Sequence, residues 1–208
     1  MQSQRITINS KDGGQFGAYL SLPPTGKGPG ILLIQEIFGI NQHIRDVADQ
    51  YASDGFVVLA PDVFWRQEAG VDIGYDDESF EKGFALMQGM DFPKAVEDLC
   101  VAAQTLKALP QVSGKVASLG FCMGGMLSYL VGTTTGAVDA SVCYYGGGIH
   151  TALDRAPQAR IPMLMHFAEK DGFIPMEAVS QIKAAFQSNH GVEIHTYPNV
   201  DHGFNCWG

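Results

Sequence analysis

The chain has 208 residues, 46% hydrophobic and 17% charged, enough apolar material for one substantial core and too much for a disordered segment. Thirteen Lys and Arg against 22 Asp and Glu leave a formal charge of −9, so neither nucleic acid nor an anionic membrane is an expected partner. No apolar run approaches the roughly 20 residues that span a bilayer, and the polar start Met1-Gln2-Ser3-Gln4-Arg5 lacks the apolar stretch of a secretion signal.

Two short strands are expected around Arg5 to Ile8 and Gly17 to Leu22, joined through the turn Lys11-Asp12-Gly13-Gly14 into a hairpin. Gly30-Ile31-Leu32-Leu33-Ile34-Gln35 is a continuous apolar run, the pattern of a strand buried on both faces. A helical pattern from about Asn41 to Ser53 follows, then a second buried strand, Phe56 to Ala60, stopped by Pro61. The stretch from Asp62 to about Asp76 has little periodicity and reads as a long loop over the end of the sheet, a kind of loop that is often functional. Helices are expected near Asp77 to Gln88 and Phe92 to Leu109, then a strand over Lys115 to Leu119 running into Gly120, with helix again from Met123. Further strands fall at Asp139 to Tyr144, Pro162 to Phe167 and Val192 to Tyr197, the last two separated by a helix near Pro175 to Ser188. This alternation predicts one α/β domain over residues 1–208, with a mainly parallel twisted sheet, helices on both faces and an N-terminal antiparallel hairpin. Ligands of such sheets bind beyond the carboxyl ends of the strands, which puts the segments starting at Gln35, Pro61, Gly120, Tyr145 and Ala168 on one rim.

The most informative rim segment is Gly120-Phe121-Cys122-Met123-Gly124-Gly125. It fits the strand–turn–helix elbow G-x-S-x-G with cysteine in the serine position. Glycines two before and two after let backbone pass closely on either side of a strained turn, and the helix N-terminus favours thiolate over thiol. Asp171, just after one strand, and His202, just after the last, follow in the chain order nucleophile, acid, histidine. That order makes His202 the candidate general base and Asp171 the group that orients it. Backbone N–H groups of Ile37 and Met123 are the candidate oxyanion donors, and Phe38, Trp65, Phe84, Tyr144 and Tyr145 the candidate pocket aromatics. Among the other histidines, His43 reads as solvated, His166 as a hydrogen-bonded core or rim residue and His195 as a strand-face residue; no metal is expected.

Together Gln35-Glu36-Ile37-Phe38-Gly39-Ile40-Asn41, Ala60-Pro61-Asp62-Val63-Phe64, the elbow, Tyr144-Tyr145-Gly146 and Asp201-His202-Gly203-Phe204 resemble the dienelactone hydrolase (carboxymethylenebutenolidase) family from about Ile8 to Phe204. The resemblance implies an α/β-hydrolase fold without a large lid domain and a cofactor-free hydrolase of small esters or lactones. It also implies a Cys122, His202, Asp171 triad and a Glu36 linked to the resting state and activation of the thiol. A carboxylate there can take the thiol proton but opposes the thiolate, which suits a switch better than a permanent neighbour. Where dienelactone-cleaving members hold the substrate carboxylate with arginines, this chain has Cys206 at one position and no arginine near Phe80 and Glu81 at the other. Lys82 and Arg66 are the basic residues that could substitute. A neutral or larger ester is therefore the expected substrate. The chain stops at Gly208, shortly after the histidine loop, where members of the family usually continue with another helix. A small-molecule substrate, a monomer or small homo-oligomer, a cytoplasmic location and reduced cysteines (Cys100, Cys122, Cys143, Cys206) complete the expectation. The thiol leaves a second class open, a redox-responsive or ligand-binding domain of the same fold with little turnover.

Overall fold

The structure, a computed structural model, describes residues 2–207. Eight strands form one sheet in the order β1-β2-β4-β3-β5-β6-β7-β8. β1 (Gln2–Asn9) and β2 (Gln15–Leu22) make the antiparallel hairpin, and β2 pairs antiparallel with β4 (Val57–Pro61). β3 (Gly28–Ile34), β4, β5 (Val112–Phe121), β6 (Ala140–Tyr144), β7 (Met163–Ala168) and β8 (Val192–Tyr197) are parallel. The apolar runs behave as their composition requires: Val57 to Pro61 are all buried, as are Gly30 to Ile34 in β3.

Helix starts follow side chains that accept the first exposed N–H groups. Asn41 Oδ1 caps α1 (Gln42–Ser53) by accepting from Ile44 N at 3.2 Å. Asp76 caps α2 (Asp77–Gln88) and Asp91 caps α3 (Phe92–Ala108). Asp77 and Glu78 in the first turn of α2 complement its dipole. α4 (Met123–Gly132) and α5 (Met176–Phe186) complete the α-helices. α1 carries the chain from β3 to β4, whereas α3 returns from β4 past β3 to β5. Right-handed crossovers in opposite directions put their helices on opposite faces of the sheet. Three buried hydroxyls, Ser118, Ser128 and Ser141, link β5, α4 and β6 by bonds of 2.8 and 2.9 Å, so none is left unpaired beneath the elbow.

The connection order reverses between β3 and β5, which are neighbours in the sheet. That reversal opens a crevice beyond their carboxyl ends. Glu36 and Ile37 follow β3, and Cys122 follows β5, so both segments reach the same crevice.

The structure departs from the sequence reading in two places. β5 begins at Val112, earlier than its apolar run, because Gly114 takes φ 100° and lets an exposed segment keep pairing with β3 across a register shift at Gly28/Gly30. Residues Ile149–Gln158 form 3-10 turns broken at Ala152 and holding Pro157, a short helical segment that the sequence reading did not include.

Candidate active site

Cys122 sits between β5 and α4 at φ 55° and ψ −119°, a backbone conformation that L-residues rarely adopt. Its neighbours explain the glycines. A Cβ on Gly120 would lie 1.9 Å from the Gly124 carbonyl oxygen, and one on Gly124 would lie 2.3 Å from that of Ile34. Any side chain at either position would force the elbow off the strand. Met123 opens α4, so its N–H has no acceptor inside the helix and stays available next to the sulfur.

Asp171 follows β7 and is buried. Its Oδ1 accepts the N–H groups of Phe173 (2.8 Å) and Ile174 (3.1 Å), leaving Oδ2 for His202 Nδ1 at 2.8 Å. The His202 ring lies between the edges of Tyr145 and Phe173, each 5.0 Å away centre to centre, and shares the cavity wall with the Cys122 thiol. Burial opposes a charge on this imidazole. The hydrogen bonds and negative charges of Asp171 and Cys122 outweigh it and push His202 up to about 10. Sulfur, imidazole and carboxylate thus stand in one chain of contacts, although they come from positions 122, 202 and 171.

That raised pKa has a consequence for stability. An imidazolium favoured by the fold stabilises fully below the ordinary histidine value and ceases to as pH rises through about 10. The thermal midpoint of the parent chain should therefore exceed that of Asp171→Asn by most near pH 6, with the gap closing towards pH 10. A gap independent of pH would show that the imidazolium contributes nothing.

Glu36 is buried, with its Oε2 accepting from Tyr75 Oη at 3.0 Å and from Cys206 Sγ at 3.7 Å. Burial raises its pKa, and the two hydrogen bonds hold part of that rise back. It is not an exposed loop acid. It shares the wall of a cavity of about 520 Å3 with Cys122, His202, Ile37 and Met123.

The rest of that wall is apolar apart from Gln88. Phe38 and Phe84 line it as expected, joined by Phe80, Met87, Met90, Phe92 and Phe173. Phe80, Phe84 and Met87 follow helical spacing along α2, and that stripe was the available signal for this wall. Three expected pocket residues lie elsewhere. Trp65 stacks on Phe16 at 5.5 Å and donates Nε1–H to Asp98 at 2.9 Å, which draws it to the hairpin side. Tyr144 is stacked between His166 (4.4 Å) and Phe121 (5.2 Å). Tyr145, at φ 36°, is fully buried behind His202 and does not reach the cavity.

Neither candidate cation reaches the site. Arg66 is held by both Asp98 oxygens (2.8 and 2.9 Å) and by Asp12 (2.7 Å), and Lys82 pairs with Glu68 at 2.7 Å. Among the described residues no Lys or Arg lines the cavity. His43, expected to be solvated, is 5% exposed: the first turn of α1 carries it inward against Tyr75, Phe121 and Trp207. There it meets Glu36 and Cys206, whose ligand atoms and its own lie within 4.8 Å of one another. The three make a potential metal-ligating group that sequence spacing did not reveal. His166 does find a partner, Tyr197 Oη at 2.8 Å from Nδ1. Among the described residues no helix is long and apolar enough to cross a membrane.

Comparison with known proteins gives matches over nearly the whole chain. Residues 16–208 match the family model described as the dienelactone hydrolase family. Carboxymethylenebutenolidase 1 of Cupriavidus pinatubonensis is 36% identical over 205 residues, covering 98% of this chain and 87% of that protein. A carboxymethylenebutenolidase from a Pseudomonas species is 35% identical over 205 residues, covering 98% and 85%. Among solved structures, a dienelactone hydrolase-like promiscuous phosphotriesterase from metagenomic libraries superposes with a TM-score of 0.77 at 22% identity, covering 98% of this chain and 85% of that one. At that identity the likeness is one of fold.

Proposed function

The chain belongs to the dienelactone hydrolase family and is a hydrolase of that family, and on that premise we propose that it cleaves small neutral esters or lactones through Cys122, His202 and Asp171. One observation carries the reading: the contact chain from Asp171 through His202 to Cys122 ends at a cavity walled by aromatic and methionine side chains.

In this reading the Cys122 sulfur attacks the acyl carbon and forms a C–S bond while the charge moves to the carbonyl oxygen. The N–H groups of Ile37 and Met123 receive that oxyanion. As the C–O bond breaks, His202 gives its Nε2 proton to the leaving oxygen. A water then attacks the thioester, His202 takes its proton, and the acid departs as sulfur is released. Asp171 keeps Nδ1 protonated throughout, so that Nε2 faces the chemistry. Glu36, buried and hydrogen-bonded to Tyr75 and Cys206, is a candidate acceptor for the thiol proton at rest.

The absence of Lys and Arg from the cavity wall, among the described residues, supports a neutral substrate. A substrate carboxylate would lose its hydration opposite Glu36 with no Lys or Arg to replace it, and the His202 imidazolium is already paired with Asp171. The test is a pair of lactones matched except for one carboxylate, together with short aryl esters. The neutral lactone should show kcat/KM higher by about tenfold or more, the cost of one unpaired charge at a half-open site. Equal or reversed preference would overturn the neutral-substrate reading. Rapid alkylation of Cys122 with no turnover of any ester or lactone would overturn the hydrolytic one.

A further inference from the structure

A second constellation lies against the first and shares Glu36 with it. Glu36 comes from the loop after β3, His43 from the first turn of α1 and Cys206 from the turn after His202, with carboxylate oxygen, ring nitrogen and sulfur within 4.8 Å of one another. Glu36 and His43 are buried and Cys206 is half-buried. We propose that these three side chains form a binding site for a single zinc-like divalent cation, with the fourth position left to water.

Three physical points carry this. The donor set is one sulfur, one imidazole nitrogen and one carboxylate oxygen. That mixture matches the borderline-soft character of zinc and not the all-oxygen preference of magnesium or calcium. Next, His43 is poorly satisfied: Nε2 is buried with no hydrogen-bond partner, and Nδ1 has only the Trp207 N–H at 3.4 Å. Only that long contact fixes the tautomer, so giving it up frees a ring lone pair for a metal at little cost. Finally, Glu36 is a buried acid with no Lys or Arg ion pair among the described residues, and a dication would supply the missing counter-charge.

Burial pushes His43 down, which keeps the imidazole neutral and able to ligate. His43, Tyr75 and Trp207 also line a separate surface cavity of about 380 Å3, so one of the three ligands borders solvent. Binding forms metal–nitrogen, metal–oxygen and metal–sulfur bonds. The Cys206 thiol proton, and any proton on Glu36, leave to solvent, so affinity rises with pH. Because Glu36 also lines the substrate cavity, an ion here puts positive charge on the wall that holds Cys122 and His202.

Cobalt(II) is the probe, since a thiolate ligand gives it a charge-transfer absorption that zinc lacks. The titration uses the full chain as Cys122→Ala, which removes the other accessible sulfur next to a histidine. One equivalent of cobalt should produce the thiolate band and the visible bands of a four-coordinate site, and added zinc should bleach both. Adding Cys206→Ser should abolish the thiolate band and weaken binding by about tenfold or more. His43→Gln should weaken it similarly. Cys206→Ser alters a half-buried position, and an unchanged far-UV spectrum establishes that it folds. Absence of the band at micromolar metal, or a band that survives Cys206→Ser, overturns the proposal. The readout is spectroscopic, so it stands or falls apart from the hydrolase reading.

Discussion

Cys122→Ala should lower ester and lactone turnover by about 10,000-fold or more while lowering the thermal midpoint less than Asp171→Ala does. Among the described residues the sulfur is the strongest nucleophile on the cavity wall, and the Glu36 carboxylate and His202 imidazole there are far poorer substitutes. The fold has little stake in the thiol itself. The turn at φ 55° is imposed by the close backbone contacts at Gly120 and Gly124, and alanine must adopt the same angle as cysteine. Cys122→Ser should keep a small residual rate, because its alcohol reaches the same carbon but ionises far less readily. Progress curves with an aryl ester, and mass spectrometry for an acyl adduct on the parent chain, measure both effects. Undiminished turnover in Cys122→Ala would remove the sulfur from the mechanism.

Asp171→Asn should cost about 1,000-fold in kcat/KM with little change in fold. The reason lies in the second oxygen of the carboxylate. Oδ1 is engaged by the N–H groups of Phe173 and Ile174, so an asparagine must place its own oxygen there and turn its NH2 towards His202. Nδ1 would then face a donor instead of an acceptor. The imidazole would be driven to the tautomer with its proton on Nε2, unable to take one from the thiol or from water. Asp171→Ala, which leaves those two backbone groups without their acceptor, should lower the thermal midpoint as well. Equal activity of Asp171→Asn and the parent would mean that the carboxylate does not orient the ring during turnover.

The parallel strands were legible because burial on both faces leaves a continuous apolar run, as at Val57 to Ala60. The elbow was legible for a related reason: backbone passing within contact distance tolerates only glycine, so spacing records geometry. Asp171 and His202 were found through chain order, since each follows a strand that ends on the same rim. The cavity walls were less accessible. Tyr144 and Tyr145 end the strand beside the elbow, so they sit near the site in sequence, yet one is held in a ring stack and the other turned behind the histidine. His43 shows the same limit. Nothing local tells that the first turn of α1 will be covered by Trp207, which lies 164 positions further on. Trp65 and Arg66 likewise answer to Asp98, a partner that only tertiary packing brings near.

α2 contributes Phe80, Phe84, Met87 and Gln88 to the cavity, yet its one buried residue is Gly83, which allows close approach to the Ile37 carbonyl. The helix is thus seated at Gly83, with Leu86 and Met87 packed partly on the core, while Phe80 and Phe84 face the cavity and owe less to the interior. Divergence within such a scaffold has an open direction. Lineages can exchange bulk, polarity or charge along this helix and acquire new specificities, whereas the glycines at the bend tolerate almost no drift. Adaptability and constraint occupy separate stretches of chain, some forty residues apart in order, that meet across one cavity.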